Sequence, residues 1–102
     1  IDIVCSDNRA YIVKNGHPIM SRITGSGCML TAMTAAYIAA NRDNILEAAA
    51  AATIAMGVCG ELAYERLSNT GGGNATFRNY LIDAVYNLDG DTLERRAKYE
   101  IY

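Results

Sequence analysis

Chemistry in this sequence concentrates in one short run, Thr24-Gly25-Ser26-Gly27-Cys28, where two glycines flank a serine and a thiol follows at once. The small and apolar residues from Met29 to Ala40 come directly after it, so a glycine loop opens a helix over roughly Cys28 to Ala40, with the thiol on its first position. The first N–H groups of a helix have no partner in the helix, and the helix dipole places about half a positive charge there, so anions settle on that end. Glycines let those amides converge on a phosphate with no side chain in the way. The run is not a Walker A loop, which needs a spaced Gly-Lys-Ser/Thr. Nor is it a dinucleotide fingerprint, because Leu30 stands where the third glycine would fall. Taken alone it fits a plain strand-to-helix turn equally well.

The other candidate residues carry less. Arg22 could neutralise a phosphate, yet its position also fits the solvated face of a strand. His17, before Pro18, reads as a surface turn residue. Gly57 and Gly60 sit inside a long helical stretch, where each costs about 1 kcal/mol relative to alanine, and so they hint at close approach by another backbone or by a ligand. Cys5 and Cys59 read as small buried hydrophobes. Three cysteines at wide spacing, with no CxxC and a single histidine, argue against a disulfide framework and a structural zinc site, and fit a reducing cytoplasm.

Composition bounds the partners. The 102 residues carry a net charge of −2, so there is no basic field to hold a nucleic-acid backbone or an anionic membrane. The apolar stretch Ile45 to Met56 is half alanine and reads as too short and too weakly hydrophobic to cross a bilayer, so no membrane span is expected. The chain opens on Ile-Asp-Ile-Val-Cys without an initiator methionine, and is expected to start inside a longer protein.

Several elements must position the glycine loop. Asp2 to Cys5 and Arg9 to Lys14 are β-branched and aromatic runs around the turn-forming Ser6-Asp7-Asn8, which predicts a hairpin. Ile19 to Ile23 reads as a third extended segment after Asn15-Gly16-His17-Pro18. The first helix has Met29, Met33, Ala36 and Ala40 at three- and four-residue spacing and almost no charged residues, which predicts that it is covered on most sides. A second helix is expected from Asn44, capped by that residue with Glu47 reaching back, to about Leu67. Its second half, Glu61 to Arg66, reads as charged and wet. Asn74 is expected to cap a third helix with Phe77, Leu81, Ala84, Val85 and Leu88 on one stripe, and Asp91 with Glu94 to start a further short helical turn. Ala97 to Tyr102 alternates like a strand exposed on one side. This is little sheet for so many helices, and it describes the end of an α/β or α+β domain whose N-terminal part is missing.

The run Asn15-Gly16-His17-Pro18, followed by Arg22-Ile23-Thr24-Gly25-Ser26-Gly27-Cys28-Met29-Leu30-Thr31-Ala32, resembles the corresponding region of hydroxyethylthiazole kinases, members of the ribokinase-like superfamily. The resemblance continues through Asn41 to Leu67, the Gly72-Gly73-Asn74 turn with Phe77, and the closing residues Ala97 to Tyr102. It implies an α/β chain: the C-terminal portion, residues 1–102, of a three-layer α/β/α ribokinase-like domain. The superfamily usually has Gly-Ala-Gly-Asp here, with the aspartate as base. Cys28 stands in its place, as is typical of the thiazole kinases.

The implied reaction is transfer of the γ-phosphoryl group of ATP, with Mg2+, to the hydroxyl of 4-methyl-5-(2-hydroxyethyl)thiazole in thiamine salvage. By the same resemblance Gly25, Ser26, Gly27 and Cys28 form the anion hole, Gly25 also binds substrate, and Cys28 takes or positions the hydroxyl proton. The metal ligands are expected upstream, outside this segment, and the parent protein is expected to be a cytoplasmic homotrimer. A second ribokinase-like kinase, of hydroxymethylpyrimidine or pyridoxal type, is the nearest alternative. A non-catalytic helical interaction module is the alternative from another class.

Overall fold

The computed structural model describes all residues, 1–102. β1 (Asp2–Cys5) and β2 (Ala10–Val13) form the expected antiparallel hairpin, with Ile3 opposite Ile12 and Val4 opposite Tyr11. The Ser6 N–H donates to the Arg9 carbonyl at 2.8 Å and closes the turn. β3 (Tyr99–Ile101) pairs antiparallel with the other side of β2, giving the sheet order β1-β2-β3. β3 is exposed along its whole length rather than on one side only; the contact of the Tyr99 ring with Tyr11, centroids 5.9 Å apart, does not bury it. Tyr11 and Val13 of the central strand are buried.

Ile19 to Ile23 is not a strand. Pro18–Arg22 form a 3-10 helix with proline at its start and His17 as its cap. The pre-set φ of proline and an imidazole acceptor for the next free N–H favour a tight turn over extension.

Four α-helices follow: α1 (Ser26–Ala40), α2 (Ile45–Thr70), α3 (Asn74–Asn87) and α4 (Gly90–Arg96). Two of the three expected caps fall elsewhere, and the third makes no capping bond. Asn44 occupies the cap position of α2 but makes no side-chain bond, and Glu47 pairs with Arg9 at 3.2 Å instead of reaching back. Gly73 caps α3, and Asn74 is its first residue. α4 is capped by Asp89, whose carboxylate accepts the Thr92 N–H at 2.8 Å. That bond holds the Asp89 carboxyl below its usual range.

α2 is the centre of the molecule. One side of it packs Ile54 and Val58 on Val13 of the sheet. Further along, Met56, Cys59, Ala63 and Leu67 close on Phe77 and Leu81 of α3. At 26 residues and a mean hydropathy of 1.5 over its most apolar window, α2 is longer and more apolar than the stretch Ile45–Met56 suggested. It passes a length-and-composition test for a membrane span, and 56% of that window is buried against the rest of the chain, as in a core helix.

α1 departs most from expectation: none of its residues is fully buried. Met29, Leu30 and Met33 lean on the α2–α3 cluster, while Cys28, Thr31, Ala32, Ala35, Ala36, Ala39 and Ala40 face outward and are exposed. The sequence pattern reports which surfaces could be buried, and this chain supplies a cover for only one side.

Candidate active site

The glycine loop forms because Gly25 adopts φ +96°, a left-handed conformation that L side chains resist, and so turns the chain into α1. The helical ladder begins with the Met29 N–H donating to the Gly25 carbonyl at 2.9 Å. The N–H groups of Ser26, Gly27 and Cys28 therefore precede it and have no helical partner. A Cβ built on Gly25 or Gly27 would meet nothing within 4 Å, so the space over the loop is open. Converging free amides, open space and a helix N-terminus fit a phosphate group.

The loop divides two hollows. Ser26 and Gly27 line a cleft of about 500 Å3 together with Asn15-Gly16-His17-Pro18, Met20, and Thr53, Met56 and Gly57 of α2. Gly25 lines a second hollow of about 450 Å3 with Arg22, Thr24, Asn74 and Arg78. No carboxylate lies on this second hollow, and neither arginine has an ion-pair partner. Cys28 borders neither hollow. It is exposed at the third position of α1, not the first. The structure thus brings Ser26 and Gly27 together with the Asn15–Pro18 run, turns Gly25 to the second hollow, and leaves Cys28 next to them in the chain and exposed.

The far wall of the cleft is held by a polar knot that the sequence did not announce. Asn15 is 6% exposed. Its amide donates to Glu61 Oε2 at 3.1 Å and to the Arg96 carbonyl at 2.8 Å, and its oxygen accepts the Lys98 N–H at 2.7 Å. The Gly16 N–H also donates to Glu61 Oε2, at 2.9 Å. Glu61 is therefore not wet, as its charged neighbourhood suggested: its side chain keeps only 13% of its exposure. The available signal was a lone carboxylate at the end of an apolar helical stretch.

Gly57 and Gly60 admit the other side of this arrangement. A Cβ on Gly57 would lie 2.7 Å from Asn15 Cβ and 2.8 Å from the Asn15 carbonyl carbon, and one on Gly60 would collide with Met20 Sδ. The close approach inferred from these glycines is real, and the approaching group is the chain itself. Of the cysteines, Cys59 is buried as expected while Cys5 is exposed. His17 is no free surface residue: it stacks on Tyr64, with ring centroids 3.7 Å apart.

No group of three or more His, Cys, Asp or Glu side chains converges anywhere in the chain, so its own residues do not fit a metal cage.

The profile of the hydroxyethylthiazole kinase family matches residues 1–91, and so takes in both hollows and the loop between them. This chain belongs to that family. A hydroxyethylthiazole kinase of Clostridium acetobutylicum is 61% identical over 102 residues, covering 100% of this chain and 37% of that protein. One from Clostridium tetani is 40% identical over 97 residues, covering 95% of this chain and 34% of that protein. The solved structure of a hydroxyethylthiazole kinase protein from Pyrococcus horikoshii superposes with a TM-score of 0.83 at 28% identity, covering 99% of this chain and 37% of the other. The α/β class and the hydroxyethylthiazole kinase fold follow for the whole chain, which spans about 37% of the length of its Clostridium acetobutylicum relative.

Proposed function

We propose that the protein carrying this chain transfers the γ-phosphoryl group of ATP to the hydroxyl of 4-methyl-5-(2-hydroxyethyl)thiazole, a salvage step towards thiamine. The observation that carries this reading is the loop Gly25-Ser26-Gly27-Cys28, with its unladdered amides at the edge of a 500 Å3 cleft, in a chain that matches this kinase family over residues 1–91.

Phosphoryl transfer is catalysed mostly by positioning and by fixed donors aimed at the charge that develops on the transferred group. The amides of Ser26, Gly27 and Cys28 are such donors, and their orientation is set by the helix before substrate arrives. Gly25 contacts the acceptor alcohol or the group moving to it. The Cys28 thiol, on the third residue of α1, takes or polarises the proton of the attacking hydroxyl. Arg22 and Arg78 add positive potential behind the loop.

Mg2+ would serve as charge partner of the nucleotide phosphates, held by residues outside this chain. A cytoplasmic setting is supported by three free cysteines, one of them buried and two exposed. The homotrimer is carried from the resemblance to the thiazole kinases, and no membrane or nucleic-acid partner enters the reading.

The test is a coupled assay of the full-length protein with ATP, Mg2+ and a panel of alcohols. Phosphorylation of hydroxyethylthiazole in clear preference to hydroxymethylpyrimidine, pyridoxal and sugars supports the proposal. Turnover of none of them, or preference for another acceptor, defeats it.

A further inference from the structure

The glycine loop is tied to the body of the chain through the 3-10 helix, and one side chain holds the start of that helix. His17 stacks on Tyr64 of α2 with the ring planes 16° apart. Its Nδ1 accepts the Ile19 N–H at 3.1 Å, and its carbonyl accepts the Met20 N–H at 3.0 Å. A ring nitrogen that accepts an N–H carries no proton, so this contact needs the tautomer protonated on Nε2. One turn on, the Met20 carbonyl accepts the Ser26 hydroxyl at 3.3 Å. Met20 itself sits against Gly60, where a Cβ would collide with its Sδ, so its place depends on α2.

A five-residue 3-10 helix has poor hydrogen-bond geometry and little hold on its own shape. Ile19 and Met20 pack it against the core, the Ser21 hydroxyl donates to the Pro18 carbonyl at 2.8 Å, and at its start the imidazole cap holds the Ile19 N–H while stacked on the Tyr64 ring. We infer that His17 is a positioning residue for phosphoryl transfer. From its stack on α2 it sets the Met20 carbonyl, and through Ser26 it aims the amides of the glycine loop. The inference rests on the kinase reading above. It assigns His17 no contact with the reacting atoms. Its effect is geometric, and small displacements of donors are costly: misplacement by about 1 Å can cost on the order of 100-fold in rate.

Three variants of the full-length protein separate the parts of this mechanism. His17→Ala removes both stack and acceptor. His17→Phe keeps a stacking ring without an acceptor. His17→Asn restores a side-chain oxygen suited to a helix cap without the ring. The expected result is kcat about tenfold lower in His17→Ala and His17→Phe, with KM for ATP and alcohol within about twofold of wild type. His17→Asn recovers at least about half of the wild-type kcat. Amide hydrogen exchange at Ile19 and Met20 rises about tenfold in the first two variants and returns towards wild type in His17→Asn.

Unchanged kcat in His17→Ala, or rescue by Phe where Asn fails, overturns the inference. So does unchanged exchange in His17→Ala, a readout that does not depend on turnover. If wild-type protein phosphorylates no acceptor while the exchange pattern appears as expected, the kinase reading is what has failed, and the catalytic consequence falls with it.

Discussion

α1 and α2 are built from nearly the same small apolar residues, yet one disappears into the chain and the other stands open. Twelve residues of α2 are buried and none of α1 is. α2 is scaffold: it receives the sheet, α3, the Asn15 turn and the 3-10 helix. α1 is the helix whose first turn we propose as the phosphoryl-transfer site, held from one side by Met29, Leu30 and Met33 and at its start by Ser26. Burial and proposed function are therefore divided between two helices that are both rich in alanine. What separates them is the partners each finds, not the residues each offers.

The contrast predicts where substitutions fall on stability and where on turnover. The largest stability loss is expected from Phe77→Ala, whose side chain is wholly buried against the α2 cluster. Chemical denaturation of the full-length protein is expected to register a loss of about 3–5 kcal/mol. A loss under about 1 kcal/mol would mean that α2 and α3 do not form the core described.

Paired glycine variants sharpen the comparison. Gly57→Ala places a methyl group against Asn15 backbone that has no room to move, and is expected to cost about 1–3 kcal/mol. Gly27→Ala meets open space, and its effect on stability is expected to stay within about 1 kcal/mol while turnover falls, because the methyl group enters the space a phosphate would fill. Thermal melts and steady-state rates on both variants check this. Equal stability loss at the two positions would erase the distinction between the helices.

A smaller effect is expected from pH. Burial pushes the Cys59 thiol up from its ordinary 9.0 to about 11. The folded state then keeps the proton where the unfolded state releases it. The stability linked to this group is full below pH 9, declines as pH rises from about 9 to about 11, and is gone above that. The decline amounts to about 2–3 kcal/mol at most. Tyr37 is also raised, first by burial and then by Cys59, so the informative quantity is the difference between wild type and Cys59→Ala across this window. A difference that does not change with pH would place Cys59 in contact with water.

Much of this division was legible in the sequence. The turn residues Ser6-Asp7-Asn8 gave the hairpin, and the glycine run gave the start of α1. Gly57 and Gly60 announced a close approach, because glycine inside a helix has few other reasons to be there. The 3-10 helix reads as a strand in the sequence because three apolar residues over so short a span fit either shape, and the deciding contact is the imidazole of His17, two residues before Ile19. Asn44 and Asn74 offered capping chemistry that other residues supplied or that went unused. The Asn15–Glu61 knot joins positions 46 apart in the chain, a distance no local pattern can read. The openness of α1 was beyond sequence reasoning for a plainer reason: apolar periodicity shows what a helix could bury, while burial itself depends on what arrives to cover it.

The central claim is that the first turn of α1 is the phosphoryl-transfer site, and Cys28→Ala in the full-length protein tests it most directly. Cys28 is exposed and borders neither hollow, so folding and nucleotide binding have no cause to change. The expected result is kcat for hydroxyethylthiazole phosphorylation lowered about 100-fold, with ATP affinity and melting temperature as in wild type. Turnover at the wild-type level, or a loss that only follows unfolding or lost ATP binding, would contradict it.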